Sequence, residues 1–294
     1  MALDQFSIVS LGDARLFLGK SETDTADDQL IDLHIQTASG MVAKELGVEG
    51  VVSRAYREFH DGHGGCNLWL NNYPVTSVDF VSTGRSGALT VEYTGEDASY
   101  ATVEVTPTEL KLRKRVSGVL TASAFTLTSY ATMSLLETAV EAVSGWAVIV
   151  ETDYATYAPI SLVPVPAKDT RDDEVTLEVP DEGEGACELA SGWGRLYNPY
   201  GWTGGHRNIC VEYTAGYARG EMPAPIRGAC LELTKLLHDR SKKDLAVKAE
   251  KIGEYSYTMA DRAGAAFSAT GEIDVSNLFG QQLKDFKRVM VMGA

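Results

Sequence analysis

Histidines and cysteines at short, regular spacing are the first residues in this 294-residue chain that could do chemistry. The segment HDGHGGC sets His60, His63 and Cys66 at three-residue intervals, and His206 with Cys210 adds an H-x3-C pair that would come close if the two stretches ran as neighbours. Zinc accepts these ligand types. Three of the seven residues are glycines of a turn, however, and the spacing matches no finger or ribbon. The expectation is therefore a hairpin tip without metal, with His60, His63 and Cys66 as the weak candidates.

Other motifs reduce in the same way. ARLFLGKS (14–21) imitates a phosphate loop, but helix-like sequence precedes Gly19, and the acids of SETDTADD follow where phosphate would sit, so Gly19 reads as the end of a helix. GRSGA (84–88) has its serine one position early for a nucleophile elbow and reads as a turn. The cations of KLRKR (111–115) alternate on a strand without interleaved aromatics, which suits a solvated sheet edge better than a nucleic-acid site. No catalytic residue and no cofactor is expected.

Composition narrows the classes further. With 44% hydrophobic and 23% charged residues, the chain has the make-up of a globular protein of one large or two smaller domains. Its longest apolar runs, such as Trp146 to Val150, are far shorter than the roughly 20 residues of a membrane span, and MALDQFSIVS lacks the pattern of an export signal. Four scattered cysteines without a C-x-x-C pair suggest reduced thiols. A net charge of −15 opposes adhesion to nucleic acid. That charge sits in residues 1–240, with 18 Lys and Arg against 34 Asp and Glu, whereas 241–294 carry 8 against 7.

The elements follow from periodicity and caps. Ser10 caps a short helix to Leu18. A longer one begins after Thr25 and carries Ile31, Ile35, Ala38, Val42 and Leu46 on one face up to Gly47. Arg54–Asp61 and 67–71 alternate as a hairpin around the glycines, and Val75–Val81 and Ala88–Tyr93 extend a small antiparallel sheet. Residues 95–190 make their own alternation, with strands near 101–105, 110–115, 146–151, 160–165 and 175–179 and a helix over 130–143. They read as an inserted α+β domain left through DEGEG (181–185). Arg207–Tyr213 resumes a strand, and a Gly/Pro corner leads into a helix with Ile226, Ala229, Cys230, Leu233, Leu236 and Leu237 on its apolar face. Past Arg240 the small, polar stretch 260–272 and the closing LFGQQLKDFKRVMVMGA form an extension expected to order only against a partner.

The order of these elements, with LWLNNYPVTSV (68–78), VEYTAGY (211–217) and its helix, and IGEYSYT (252–258), resembles the head-to-tail connector (adaptor) proteins of tailed bacteriophages. It covers about residues 10–94 and 190–258; the insert departs from the smaller family pattern. The fold expected is α+β: a helical connector core with a small antiparallel sheet (1–94 and 191–240), as the resemblance implies, together with the inserted α+β domain (95–190) and the C-terminal extension (241–294) read from the residues themselves. The resemblance implies a virion protein of the neck, assembled in the host cytoplasm. About twelve copies would ring the portal protein and extend a channel that genomic DNA passes without specific binding, docking a stopper or tail-completion protein below. In this reading Tyr213, Gly216, Tyr217 and Pro225 form a structural corner, and Leu278, Phe279, Leu283 and Phe286 contact the portal. A stopper or tail-completion protein of the neck is the alternative, and a metal-binding enzyme a more distant one.

Overall fold

The computed structural model describes residues 7–21, 23–96, 98–181, 187–241, 249–252, 255–258 and 273–288. The chain opens with helix α1 (Leu11–Phe17), where the Ser10 hydroxyl accepts from the Asp13 N–H and the Asp13 carboxylate answers the Ser10 N–H. Helix α2 (Asp28–Leu46) starts after Asp27 and ends on Gly47 at φ +73°, the left-handed cap that glycine supplies. Its stripe of Ile31, Ile35, Ala38, Val42 and Leu46 is buried. Three strands follow: β1 (Arg54–Gly62), β2 (Asn67–Trp69) and β3 (Val75–Thr83).

The middle of the chain builds two further sheets. Strand β4 (Arg85–Tyr93) follows β3 after Gly84 alone, yet leaves its sheet. Beyond it lie β5 (Ala98–Val105), β6 (Glu109–Val116), β7 (Val119–Thr126), helix α3 (Met133–Glu141), β8 (Trp146–Val150), β9 (Val165–Asp169) and β10 (Val175–Pro180). They form antiparallel sheets of order β10-β4-β8 and β7-β6-β5-β9, and α3 packs Met133, Leu136 and Val140 into the apolar cluster between them. That cluster begins at Ala88, so β4 belongs with this region and not with the small sheet that precedes it in sequence.

After short strands β11 (Glu188–Ser191) and β12 (Arg195–Tyr197), strand β13 (Gly205–Ala215) returns to the first region and runs between β1 and β3. Helix α4 (Ala224–Ser241) packs Ile226, Ala229, Cys230 and Leu233 against α2. A hairpin of β14 (Ala249–Ile252) and β15 (Tyr255–Thr258) and helix α5 (Val275–Leu283) complete the described elements. Helices and antiparallel sheets together make the fold α+β. No helix among the described residues is long and apolar enough to cross a membrane.

Several expectations need correction. β1 and β2 do not form a hairpin: β1 pairs along its length with β13, and β2 pairs with β12. The reason is local satisfaction at the tip, where Gly64 N donates to Trp202 O and Trp202 N to Gly65 O, tying residues 63–66 to the buried Trp202. GRSGA is the start of β4, with the Ser86 hydroxyl donating to Asp181 at 2.5 Å. KLRKR lies on a central strand, not an edge. Leu110 and Leu112 face the core while Lys111 and Arg113 pair with Glu109 and Glu104 on the solvent face, and the uncharged β7 takes the edge. Residues 159–161 form a 3-10 turn where a strand was expected, and the Ile160 and Ser161 carbonyls accept from Arg57 of β1. DEGEG, apart from Asp181, and residues 260–272 lie outside the described residues.

Candidate functional site

Antiparallel pairing of β1 with β13 sets Tyr56 opposite Tyr213, and the two rings stack at 5.5 Å. Two residues farther along β1, Glu58 points the same way, because strand side chains alternate. Its carboxylate accepts from the Tyr213 hydroxyl, from Asn72 Nδ2 at 3.1 Å, from the Asn71 backbone N–H at 3.1 Å and from His60 Nε2 at 2.9 Å. Burial pushes the Glu58 pKa up, but the donors outweigh it and hold the carboxyl below its ordinary range. Burial, reinforced by the neighbouring carboxylate, drives the Tyr213 phenol the other way, so it stays protonated and donates. Asn72, almost wholly buried, closes the network: its Oδ1 accepts from Glu49 N at 2.8 Å and its N–H donates to Tyr213 Oη at 3.1 Å.

The chain leaves this network through Gly216. Its φ is +105°, and a Cβ there would sit 2.8 Å from Ser53 N, Val51 O and Val52 C. The tight approach is used: Gly216 N donates to Pro74 O, Tyr217 N to Val51 O and Ser53 N to Tyr217 O, each within 2.9 Å. Tyr217 is half-buried against the helical cluster, its phenol pKa raised by burial and by Tyr73. Pro225 is exposed in the first turn of α4, where its missing N–H costs no hydrogen bond.

At the other end of the chain, α5 lies on α2 and α4 with Val275, Phe279 and Leu283 buried and Leu278 and Phe286 half-buried. The region expected to wait for a partner is thus docked, over 273–288, on its own chain. Phe279 and Leu283 spend their apolar surface there. Lys287 pairs with Glu45, and the Arg288 guanidinium lies 5.4 Å from the Trp69 ring centre and 5.0 Å from that of Tyr73. It also donates to Leu70 O at 2.6 Å and Trp193 O at 3.0 Å. Nothing local in the sequence marks Trp193 or Arg288 as partners, since they meet their contacts across long stretches of chain, and Glu58 gathers its near neighbours His60, Asn71 and Asn72 around a tyrosine that comes 155 residues later.

His60, His63 and His206 line one open cleft with Asp61, without forming a ligand set: His60 is held by Glu58, His206 Nδ1 lies 3.0 Å from Asp61, and among the described residues no three His, Cys, Asp or Glu, Cys66 included, converge as metal ligands would. Lys20 of the phosphate-loop mimic is engaged by Asp24 and Asp27 at 3.2 and 2.8 Å. The four cysteines are free. Burial pushes Cys230 up to about 11 and raises Cys210 and Cys187 as well. A thiol reagent at pH 8 is expected to reach the half-buried Cys66 and Cys187 slowly, and Cys210 and Cys230 only after unfolding, as counted by mass spectrometry.

A carboxylate whose lone pairs are taken by four donors is neither base nor nucleophile; it fixes the angle between backbone elements. The corner is a hydrogen-bonded junction in a fold that combines a helical cluster with three-stranded and four-stranded sheets. No family model matches the chain, and no curated protein does. Among solved structures it is similar to a chain of the neck of an empty gene transfer agent particle with C6 symmetry, at 15% identity and TM-score 0.39 over 100% of this chain and 96% of that one. A chain from the virion of a native gene transfer agent particle is similar at 12% identity and TM-score 0.36, over 98% and 93%. Likeness at that level does not define a common fold.

Proposed function

We propose that the chain is a structural protein of the neck of a tailed-phage-like particle, acting as head-to-tail adaptor. The observation that carries this reading is the meeting of two of the three motifs on which the resemblance rests. LWLNNYPVTSV supplies Asn71 and Asn72 to Glu58, VEYTAGY supplies Tyr213 and Gly216, and Gly216 N bonds Pro74 O, although well over a hundred residues separate the two stretches. A corner held by two such motifs is a scaffold on which α2 and α4 present surfaces. About twelve copies in a head-to-tail ring close on themselves, sit beneath the portal, extend the DNA channel and offer a lower face to a stopper or tail-completion protein. An acidic ring repels the phosphate backbone, which lets DNA pass without holding it. The same charge keeps free protomers apart until the portal templates them, after assembly begins in the host cytoplasm. Salt-independent rings of the isolated protein would contradict that last point.

Mass photometry of the portal assembly from the same genome, with and without this 31.7 kDa chain, tests the reading: twelve bound copies add about 380 kDa. No gain with the portal, but binding to tail components, would make the chain a stopper or tail-completion protein instead.

A further inference from the structure

The C-terminal segment 273–288 is held on its own chain by apolar, ionic and aromatic contacts. Phe279 and Leu283 fill the face between α2 and α4, Lys287 meets Glu45, and Arg288 enters a cage of Trp69, Tyr73 and the carbonyls of Leu70 and Trp193. Tyr73 and Trp193 brace each other at 5.6 Å between ring centres, and the Tyr73 hydroxyl accepts from the Arg288 backbone N–H at 3.1 Å. Each of these partners lies before residue 241, so the same segment of another copy would make the same contacts. The seating is also incomplete: a groove of about 650 Å3 lined by Met41, Leu237 and Val275 remains beside α5. Between Ser241 and Ile273 run 31 residues. Even with β14 and β15 folded on each other, the contour length of the remainder is about 75 Å at most, beyond the roughly 50 Å between centres of touching chains of this size.

We propose that residues 273–288 are an exchangeable strap, and that in the assembled protein each copy lays its strap into the α2–α4 face and aromatic cage of a neighbouring copy. At micromolar concentration the strap stays on its own chain, because tethering gives it an effective concentration of about 1 mM. Copies held side by side are at comparable local concentration, so exchange costs little there and links neighbours by contacts already built. The exchange goes beyond the adaptor reading and needs neither portal nor DNA.

Two full-length variants test it. One carries Phe279→Asp and Arg288→Ala, which disables the strap but leaves the face intact; the other carries Met41→Asp, Glu45→Arg and Trp69→Ala, which puts charge on the apolar face, removes the ion pair and opens the cage but leaves the strap unchanged. Mixed at tens of micromolar, they are expected to give a one-to-one complex by light scattering, while each alone stays at the mass of one chain. Two unmixed species with native circular dichroism would overturn the proposal. Should either variant fail to fold, the mixture of Glu45→Lys with Lys287→Glu decides: each alone sets like charges together, and only exchange pairs opposite ones. A complex found only in that mixture supports exchange, and monomers overturn it. The portal-binding result is independent, so failure of one reading leaves the other standing.

Discussion

Replacing Gly216 with valine is expected to cost about 3–5 kcal/mol, a large share of the 5–15 kcal/mol typical of a folded domain. Two effects combine. The backbone lies at φ +105°, where a side chain is strained, and the added Cβ meets backbone atoms of residues 51–53 at 2.8 Å on several sides. Backbone cannot rotate away as the end of a flexible side chain can, so the corner must open and the Gly216–Pro74 and Tyr217–Val51 hydrogen bonds stretch. Gly19 supplies the control: its φ is +71°, but nothing lies within 4 Å of its Cβ position. Gly19→Ala should therefore cost only about 1 kcal/mol, the conformational share alone. Urea denaturation of the two variants separates the terms, and equal losses would show that the close approach contributes nothing.

The second large effect belongs to Glu58. Glu58→Ala removes the acceptor shared by Tyr213, Asn72, Asn71 and His60 and leaves buried donors without partners, at a cost of about 2–4 kcal/mol. Tyr213→Phe removes one of those donors and should cost about 1–2 kcal/mol. The pH dependence gives an independent readout. Because the folded-state pKa of Glu58 lies below its ordinary 4.5, the carboxylate's contribution is complete above about pH 5 and is lost as pH falls through the depressed folded value. The stability gap between the native protein and Glu58→Gln should therefore narrow between pH 5 and pH 3. A gap that stayed constant over this range would mean that the charge on Glu58 is not what the network holds.

These two effects are one device seen from two sides. Gly216 turns the chain out of β13 toward the 3-10 turn at Arg219–Glu221 that precedes α4, and the Glu58 network holds the strand that the chain leaves. In the ring proposed above the angle of that turn would matter more than local stability, since a small rotation repeated at every interface prevents closure.

Much of this was legible in the sequence. The stripe of α2, the caps at Ser10 and Gly47, the positions of β1, β3, β4, β5, β6, β8 and β10 and the apolar face of α4 all follow from spacing within one element, and spacing is local information. Strand partners are not. β1 is satisfied by a strand about 150 residues away, β2 pairs with β12 instead of its sequence neighbour, and the cationic β6 sits at the centre of its sheet because its charges find acids on the solvent face. Glu58 looks like any acid in a chain of net charge −15, and Arg288 like any cation of a near-neutral extension. Only the tertiary structure turns the first into the centre of a buried network and the second into a plug in an aromatic cage. Alternation and caps depend on the few residues that flank them, whereas burial of a charge depends on whichever donors the whole chain brings to it.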